Sequence, residues 1–345
     1  MNHFSSLIEQ LLSGSHLTEG NAFSAMQSIL QGQVTQVQMA GFLTALRSKK
    51  ENPYEIIGFV KAMRESMVKI TPRVPLVLDT CGTGGDGKGT FNISTAAAFV
   101  VAGAGVPVAK HGNRSVSSSC GSADVLEALG IKIDCSKEQA EKCLNEIGIS
   151  FLFAPLYHPA MKNVAPVRKE LGIRTIFNIL GPLVNPASPN AQIIGVANKN
   201  IQTTLGIALR KSNLVENKII WIIHDSGYDE IILSEKGFGL EIRGKKLTGK
   251  TLTASEFGLQ MIDPKDLGGG DAKKNAELLK NILSGLKHPL KNVILANAAC
   301  ALFCADQISI NQYKTLKDAV SHAKESLEKG AALKKLENLI EWSNR

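Results

Sequence analysis

The sequence predicts an α/β protein, with a small all-helical domain at the N-terminus and a larger α/β domain whose mainly parallel central sheet is flanked by helices. Two patterns support this fold class. Residues 1–72 carry apolar side chains at helical spacing. Across residues 73–345, short apolar runs alternate with helical patterns, as in the βαβ units of parallel sheets.

In the helical part, polar residues mark where two helices begin. Thr35 is followed by Gln38, and Asn52 by Pro53 and Glu55, and both patterns are typical of the first turn of a helix. An earlier helix is indicated by apolar residues at helical spacing: Phe4, Leu7, Ile8, Leu11 and Leu12.

The segment from Asp79 to Glu127 is rich in glycine and hydroxyl side chains and lies between apolar runs. The predicted elements, in order, are a strand from Val74 to Asp79, a loop from Cys81 to Gly89, a helix from Thr90 to Ala104, a strand from Val106 to Ala109, a loop from Lys110 to Ser122, and a helix from Asp124. Backbone N–H groups of such loops, with the helix N-termini that follow, favour anions. Two such loops at the ends of neighbouring strands indicate a substrate with phosphate at both ends.

Two common nucleotide-binding motifs do not fit the first loop. It contains G-x-G-x-x-G at Gly82, Gly84 and Gly87, but a dinucleotide fold needs an acid after the second strand to hold a ribose hydroxyl. Lys110 and His111 stand there instead. A P-loop is also excluded, because no Gly-Lys-Ser/Thr triplet closes the loop.

Farther along the chain, Ser136 with Gln139 begins a helix that ends at Gly148, and a strand follows from Ile149 to Phe153. An adjacent acidic pair, Asp229-Glu230, comes shortly after an apolar strand at residues 219–224. Carboxylates in that position suit Mg²⁺, a hard cation that prefers oxygen ligands. From the residues alone, a solvated turn is the better explanation of the pair.

Composition is that of an ordinary globular enzyme. The 345 residues are 44% hydrophobic and 20% charged. No apolar run approaches the length of a membrane helix, and the N-terminus lacks the pattern of a signal peptide, so we expect a cytoplasmic protein without a membrane partner. The six cysteines show no metal spacing, and Cys300 and Cys304 lie one helical turn apart in an apolar segment. We therefore expect buried free thiols in a reducing compartment.

The net charge of +8 raises the question of a nucleic-acid partner. The basic residues are scattered, however, and their densest cluster, Arg243 to Lys250, is typical of a solvated hairpin turn. Aromatic residues make up only 5% of the chain, which leaves little for base stacking. We expect no nucleic-acid partner, and the positive charge equally suits a substrate with several phosphates.

The order of motifs resembles the anthranilate phosphoribosyltransferase family. GTGGDG, FNIST, KHGNR and GSADVLE are followed by HPAMKNVAPVRKELGIRTIFNILGPLVNP from His158 to Pro186, and the similarity extends over nearly the whole chain. KHGNR and GSAD are shared with pyrimidine nucleoside phosphorylases and indicate only the fold superfamily. The segment from His158 to Pro186 is far more specific.

The resemblance implies a pentosyltransferase of tryptophan biosynthesis. Such an enzyme transfers the 5-phosphoribosyl group of phosphoribosyl pyrophosphate (PRPP) to the amine of anthranilate and releases pyrophosphate. It also implies two Mg²⁺ ions per active site and a homodimer formed through the helical domain. A crossing segment near residues 159–189 would return to that domain and make it discontinuous.

Site residues follow from the same resemblance, position by position. The metal would be held by Ser94, Asp229 and Glu230, and anthranilate by Gly82, Asn113 and Arg168. His111 is a candidate acceptor for the amine proton. The positions that match PRPP-binding residues are Gly82, Gly85, Asp86, Thr90, Asn92, Ile93, Ser94, Thr95, Lys110, His111, Gly112, Asn113, Arg114, Ser115, Val116, Ser117, Ser118 and Ser122.

One departure and two alternatives remain from the sequence. Relatives often carry Lys then Ser where this chain has Ser119 and Cys120, so a cation is missing beside the second loop. A pyrimidine nucleoside phosphorylase is one alternative, although it leaves Arg168 unexplained. A non-catalytic nucleic-acid-binding relative on the same fold is the other, although the GTGGD loop and the acidic pair are intact.

Overall fold

The N-terminal part of the chain is a bundle of four helices. The computed structural model describes residues 3–115, 120–234 and 236–345. Its first helices are α1 (His3–Leu12), α2 (Glu19–Leu30), α3 (Gln36–Lys49) and α4 (Pro53–Ser66). Thr35 and Asn52 cap α3 and α4 with reciprocal hydrogen bonds to Gln38 and Glu55, which confirms both predicted helix starts.

Among the described residues that follow, seven strands form one sheet in the order β3-β2-β1-β4-β5-β6-β7. The strands are β1 (Leu78–Asp79), β2 (Val108–Gly112), β3 (Ile149–Phe153), β4 (Ala191–Gly195), β5 (Ile219–Asp225), β6 (Gly237–Arg243) and β7 (Lys246–Thr251). Strands β1 to β5 run parallel, and β6 and β7 add an antiparallel hairpin at one edge. The predicted fold class is confirmed.

Helices connect the strands and cover the sheet. They are α5 (Ile93–Gly103), α6 (Ser122–Ala128), α7 (Lys137–Lys142), α8 (Ala154–Tyr157), α9 (Ala165–Leu171), α10 (Ile176–Leu180), α11 (Lys199–Lys211), α12 (Ala254–Phe257), α13 (Ala272–Leu283), α14 (Leu290–Asp306), α15 (Leu316–Glu328) and α16 (Ala331–Ser343). Ser136 caps α7, and Gly148 ends the π-turn after it with φ 73°, both as predicted.

Alternate residues of the central strands enter two separate cores. In β5, Ile219, Trp221 and Ile223 pack with α5 and α14, whereas Ile220 and Ile222 face the opposite side. On that opposite side, one apolar cluster joins the strands, α11 and the helical bundle. The bundle therefore shares its core with one face of the sheet.

The chain between β3 and β4 also enters the core of the bundle. Val164, Val167, Phe177 and Leu180, from α9, α10 and their flanks, are buried in the same apolar cluster as α1 to α4. Residues 154–184, which we call the crossing segment, thus lie between the bundle and the sheet. The domain limits at residues 72 and 159–189 stay predictions.

Three predicted elements differ in their limits. The first strand is only Leu78–Asp79, because Pro75 has no N–H and the amide of Val77 is bonded by the side chain of Asn190. The second strand extends to Gly112, so Lys110 and His111 are buried strand residues and the second loop starts later than predicted. Helix α5 begins at Ile93 because Thr90 pairs with Gly268 instead.

The structure also shows where the cysteines of the apolar segment and the densest basic run lie. Cys300 and Cys304 are buried free thiols, as predicted. The basic run from residue 243 to 250 lies in the hairpin of β6 and β7, although most of it is strand and not turn. None of the helices formed by the described residues is long and apolar enough to cross a membrane.

The crossing of α2 and α4 generates a prediction about stability. A Cβ atom on Gly58 would lie 2.3 Å from the carbonyl oxygen of Glu19 and 2.8 Å from the amide of Phe23, so the two backbones are in contact there. Gly58→Ala should lower the free energy of unfolding by about 1–3 kcal/mol, because the helices must separate. Chemical denaturation measures this.

Gly20→Ala in α2 is the matched control. A Cβ there meets no atom within 4 Å, and alanine favours helix. This variant should be as stable as the wild type or more so. Equal stability of the two variants would show that the helices do not depend on contact at Gly58.

Candidate active site

A cleft of about 580 Å³ lies where the loops after β1 and β2 meet the crossing segment and α4. Most residues predicted for a site line this cleft: Gly82, Gly85, Asp86, Thr90, Asn92, Ser94, Thr95, Lys110, His111, Gly112, Asn113, Arg114, Ser115, Ser122, Arg168, Asp229 and Glu230. Ile93 does not, because its side chain is in the core and its amide donates to the carbonyl of Phe91. Val116, Ser117 and Ser118 lie outside the described residues, as does Ser119.

The first loop, residues 81–89, needs its glycines for conformation and for close approach. Gly84 and Gly85 have φ of 63° and 74°, a region that favours glycine. A Cβ atom on Gly82 would lie only 3.1 Å from the carbonyl oxygen of Gly195, at the end of β4. Thr83 donates its amide to that same oxygen at 2.8 Å. The loop is therefore held against the end of β4 with its backbone open to the cleft.

The end of this loop is fixed by a glycine run nearly 180 residues later. The amide of Phe91 donates to Leu267 at 2.9 Å, and that of Gly269 donates to Gly89 at 2.9 Å. The later run is Gly268-Gly269-Gly270. Its pairing to the first loop could not be inferred, because nothing local to either segment specifies the other.

Asn92 joins the two loops and does not cap α5. Its Nδ2 donates to the carbonyl of Cys120 at 3.2 Å, and its Oδ1 accepts from Asn275 at 3.0 Å. No side-chain bond from Asn92 reaches the amides of α5. The N-terminus of α5, with Ser94 and Thr95, thus faces the cleft, where it favours an anion.

The second loop is folded tightly on itself. A Cβ atom on Gly121 would lie 2.4 Å from the amide nitrogen of Ser115. The carboxylate of Asp124 accepts a hydrogen bond from the amide of Gly121 at 2.9 Å and another from the amide of Ser115 at 3.0 Å. Arg114 bonds Glu127 through both terminal nitrogens at 2.9 Å. That pair is exposed, so it stabilises the fold little and can be exchanged for a phosphate at low cost.

Three carboxylates converge at the carboxyl ends of the strands: Asp86, Asp229 and Glu230. Burial raises the pKa of Asp229, and the neighbouring Asp86 raises it further. Burial also raises the pKa of Glu230, and Asp229 adds to that effect. One carboxylate oxygen of Asp86 is buried without a hydrogen-bond partner. Carboxylate oxygens are the ligands that Mg²⁺ prefers, but no group of three or more acidic, histidine or cysteine residues in the described part of the chain is placed to hold a metal ion by itself. Asp229 and Glu230 therefore fit the ion together with oxygen ligands from a substrate.

Glu230 also contacts the start of α5. Its Oε1 accepts the amide of Ser94 at 3.0 Å. The ammonium of Lys110 lies 3.4 Å from the Oγ of Ser94 and 3.3 Å from the carbonyl of Thr80. Ser94, Glu230 and Lys110 are therefore adjacent, and Lys110 lowers the pKa of Glu230 against the larger effect of burial. The predicted metal residues Ser94, Asp229 and Glu230 are brought together.

Two buried histidines, His111 and His158, also line the cleft and lie next to each other. The rings of His111 and His158 have centroids 5.3 Å apart. Burial lowers the pKa of His111 to about 3 and that of His158 to about 4, so both are neutral near pH 7. Nδ1 of His111 lies 3.1 Å from the carbonyl of Gly181, which assigns its proton to Nδ1. Its Nε2 is buried without a partner and is left as an acceptor.

The crossing segment and α4 give the cleft an apolar half. Met63, Phe177, Pro182 and Val184 line it. The guanidinium of Arg168 stacks over the ring of Phe177 with its centroid 5.5 Å away. Burial lowers the pKa of Arg168, and no carboxylate among residues 3–115, 120–234 and 236–345 forms an ion pair with it. A guanidinium that has no ion pair within the described residues and lies against apolar side chains suits an organic carboxylate.

Several lining residues were not assigned from the sequence. They include Met63, His158, Lys162, Phe177, Asn178, Gly181, Pro182 and Val184. All but Met63 belong to the segment from His158 to Pro186 that carried the resemblance, so its motif was the available signal. Met63 reaches the cleft only through the packing of α4, which no local pattern encodes.

Comparisons with known proteins agree with this architecture. Residues 5–67 match the glycosyl transferase family, helical bundle domain, and residues 74–333 match the glycosyl transferase family, a/b domain. Over 97% of both chains, the sequence is 45% identical to the anthranilate phosphoribosyltransferase of Moorella thermoacetica. It is 47% identical to that of Dehalococcoides mccartyi over the same share of each chain.

Solved structures of such enzymes superpose on nearly the whole chain. That of anthranilate phosphoribosyltransferase from Thermus thermophilus has a TM-score of 0.89 at 38% identity, and covers 98% of this chain and 99% of its own. That of the Saccharomyces cerevisiae enzyme in complex with PRPP and Mg has a TM-score of 0.87 at 30% identity, and covers 99% and 98%.

The buried histidines generate a prediction about pH. In the unfolded chain a histidine takes up its proton near pH 6.5, whereas His111 and His158 in the folded protein remain neutral until about pH 3 and 4. At these two positions the unfolded state therefore binds more protons in between, so the histidine pair lowers the free energy of unfolding as the pH falls from about 6.5 to 4, opposite in sign to the contribution of Asp229 and Glu230, whose pKa values are raised. His111→Gln and His158→Gln should each flatten this dependence.

Denaturant titrations across that pH range measure the slope. The slope, and not the absolute stability, is the readout, because either substitution also changes packing. Slopes parallel to that of the wild type in both variants would contradict the neutral state of the pair.

Proposed function

The chain belongs to the anthranilate phosphoribosyltransferase family, and we propose that its cleft joins the amine of anthranilate to C1 of PRPP with release of pyrophosphate. The observation that supports these roles is the division of the cleft into two chemically different halves. One half is built of backbone amides, hydroxyls and carboxylates. The other is apolar and contains Arg168.

The polar half suits PRPP. The glycine loop and the N-terminus of α5 offer backbone N–H groups, and the second loop offers Asn113, Arg114 and Ser115. Asn92 follows the first loop in the chain and donates its side-chain amide to Cys120 of the second loop, which keeps the two loops adjacent. A substrate with phosphate groups at two ends can therefore contact both loops at once, which fixes the position of C1.

Ser94, Asp229 and Glu230 would hold the metal, with Asp86 beside them. Mg²⁺ bound there would neutralise the charge that gathers on the departing pyrophosphate. The Saccharomyces cerevisiae relative has been solved in complex with PRPP and Mg. We propose two ions per site, because three carboxylates and the phosphates of PRPP provide more ligands than one ion requires.

The apolar half suits anthranilate, a planar aromatic carboxylate. Arg168 can form two parallel hydrogen bonds with the carboxylate, and its own stacking on Phe177 holds the guanidinium in place. Gly82 and Asn113 lie on the same cleft and complete the proposed contacts. The amine then points toward C1, in the polar half.

His111 stands where a proton acceptor is useful. Its Nε2 is unprotonated and unpartnered within the described structure. A pKa of about 3 makes it a weak base, but the anilinium-type nitrogen formed by the attack is itself acidic. We therefore propose His111 as the group that first accepts the amine proton.

We also propose a homodimer formed through the helical bundle. Large apolar side chains are exposed there, with Leu12 at 65% and Val37 at 83%. Light scattering during size exclusion would test this, with a molar mass twice the 37.0 kDa of the chain expected.

A fluorescence assay tests the function. Purified protein should consume anthranilate only when PRPP and Mg²⁺ are both present. Phosphorolysis of thymidine or uridine instead would favour a nucleoside phosphorylase.

The first prediction from the proposed function concerns the carboxylates. Asp229→Asn/Glu230→Gln should lower the rate by roughly a hundredfold or more, because charge on the leaving group is no longer offset. The fold should not lose stability, since two poorly compensated carboxylates are replaced by neutral groups of the same shape. Steady-state kinetics and thermal unfolding measure the two effects.

Glu256→Gln/Asp266→Asn, which changes two exposed acids away from the cleft, is the matched control. It should keep wild-type turnover, and Mg²⁺ should shift its unfolding temperature in the presence of PRPP as in the wild type. Full wild-type turnover in excess chelator would rule out the metal role.

The second prediction concerns Arg168. Arg168→Ala should lower kcat/KM for anthranilate about tenfold to a hundredfold, the worth of hydrogen bonds to a charged group. The KM for PRPP should change far less, and Arg168→Lys should not restore activity fully, because an ammonium cannot form the fork. Each substrate is titrated at a saturating level of the other.

The exposed neighbour Lys169 provides the control, and Lys169→Ala should behave as the wild type. Equal loss of affinity for PRPP and anthranilate in Arg168→Ala would show that the pocket assignment is wrong.

A further inference from the structure

Arg174 lies between α9 and α10, outside the cleft lining of the described structure, yet it contacts the first loop directly. Its Nη1 donates to the carbonyl of Gly85 at 2.8 Å, and its Nη2 donates to the carbonyl of Gly84 at 2.9 Å. The guanidinium fork thus binds two successive peptide units. Bonds from a charged donor are about twice as strong as neutral ones.

The two peptide units that Arg174 holds are those that shape the carboxylate cluster. Both glycines have left-handed φ, so the chain reverses there. The backbone of Gly84 also bonds the side chain of Asp229, and Gly85 is directly followed by Asp86. Gly84 therefore has Arg174 on its carbonyl and Asp229 on its amide. The amide and the carbonyl of Gly84 belong to the two peptide groups that flank its α-carbon, so holding the carbonyl restricts where the amide can point.

Arg174 also fills the space that fixes the loop. A Cβ atom on Gly85 would lie 3.0 Å from the Cζ of Arg174, so the guanidinium packs directly on the glycine backbone. Without this plane, the loop would be free to rotate about two glycines, the residue type with the most conformational freedom.

The backbone of Arg174 is held in turn by the helical bundle. Arg47, near the end of α3, donates through its guanidinium to the carbonyl of Arg174. A continuous chain of contacts therefore runs from α3 through Arg174 and Gly84 to Asp229. It connects the domain that supplies the apolar half with the carboxylates of the polar half.

We propose that Arg174 is a positioning residue that holds the first loop in the shape that binds the pyrophosphate of PRPP, and that this shape depends on the seating of α3. The inference rests on the proposed function, since it assigns the pyrophosphate to this loop. Arg174 touches neither substrate and acts through Gly84 and Gly85. The fork is essential, because a lysine offers no planar pair of donors for two carbonyls.

The test compares Arg174→Gln and Arg174→Lys with the wild type. Both variants should raise the KM for PRPP about tenfold to a hundredfold, the range for loss of hydrogen bonds from a charged group. The KM for anthranilate at saturating PRPP should stay within about twofold. Calorimetric titration of PRPP with Mg²⁺ should show the same loss without any turnover.

Asn163→Ala is the matched control. Asn163 also belongs to the crossing segment and also donates to a backbone carbonyl, that of Leu30 at 2.8 Å, but it does not contact the first loop. This variant should lose stability as the Arg174 variants do, while keeping wild-type affinity for PRPP. Losses that fall equally on both substrates and follow the unfolding temperature would overturn the proposal.

Arg47→Met provides a second arm that leaves the loop and Arg174 in place. Arg47→Met should also raise the KM for PRPP, but less than Arg174→Gln does. It therefore tests the role of Arg174 even if Arg174→Gln fails to fold. Unchanged PRPP affinity in Arg47→Met, or in a folded Arg174 variant, would overturn the inference while the wild type remains active. A wild type that neither binds PRPP nor consumes anthranilate would instead refute the proposed function.

Discussion

Negative charge gathered at the carboxyl ends of the parallel strands governs the rest of the site. Asp86, Asp229 and Glu230 meet there, partly removed from water, and Lys110 is the nearby cation that lowers the pKa of Glu230. Charge of this kind is unfavourable in a folded protein unless something offsets it. The surrounding glycines, the hydroxyl groups and the N-terminus of α5 hold these carboxylates close together. In the proposed function, the ligand that offsets their charge is Mg²⁺ bound to the phosphates of the substrate. The carboxylates that make the folded protein less stable are thus the same groups that would bind the cation.

The local parts of this frame could be predicted, because their signals lie within a few residues of one another. Thr35 and Asn52 specify helix starts through side chains three positions apart, and Ile149 to Phe153 is a strand by its own composition. The fold class follows from the alternation of such elements. The cleft residues could be assigned because the resemblance supplied the motifs.

What the sequence could not provide depends on contacts between distant segments. Thr90 leaves the predicted helix because Gly268 pairs with it, and Lys110 joins a strand because β3 extends the ladder beside it. His158 faces His111 only after the chain has crossed from the sheet to the bundle. Propensity is a weak signal where tertiary partners decide the outcome.

The apolar cluster that joins α1 to α4 with the crossing segment, α11 and one face of the sheet has a consequence for evolution. Three stretches of the chain, far apart in sequence, complete a single core. A genetic exchange between relatives that replaced only the N-terminal helices would place mismatched side chains against Val164, Phe177 and Ile222. An exchange that moved the bundle, the crossing segment and α11 together would keep this core intact, so the bundle by itself is not an interchangeable module.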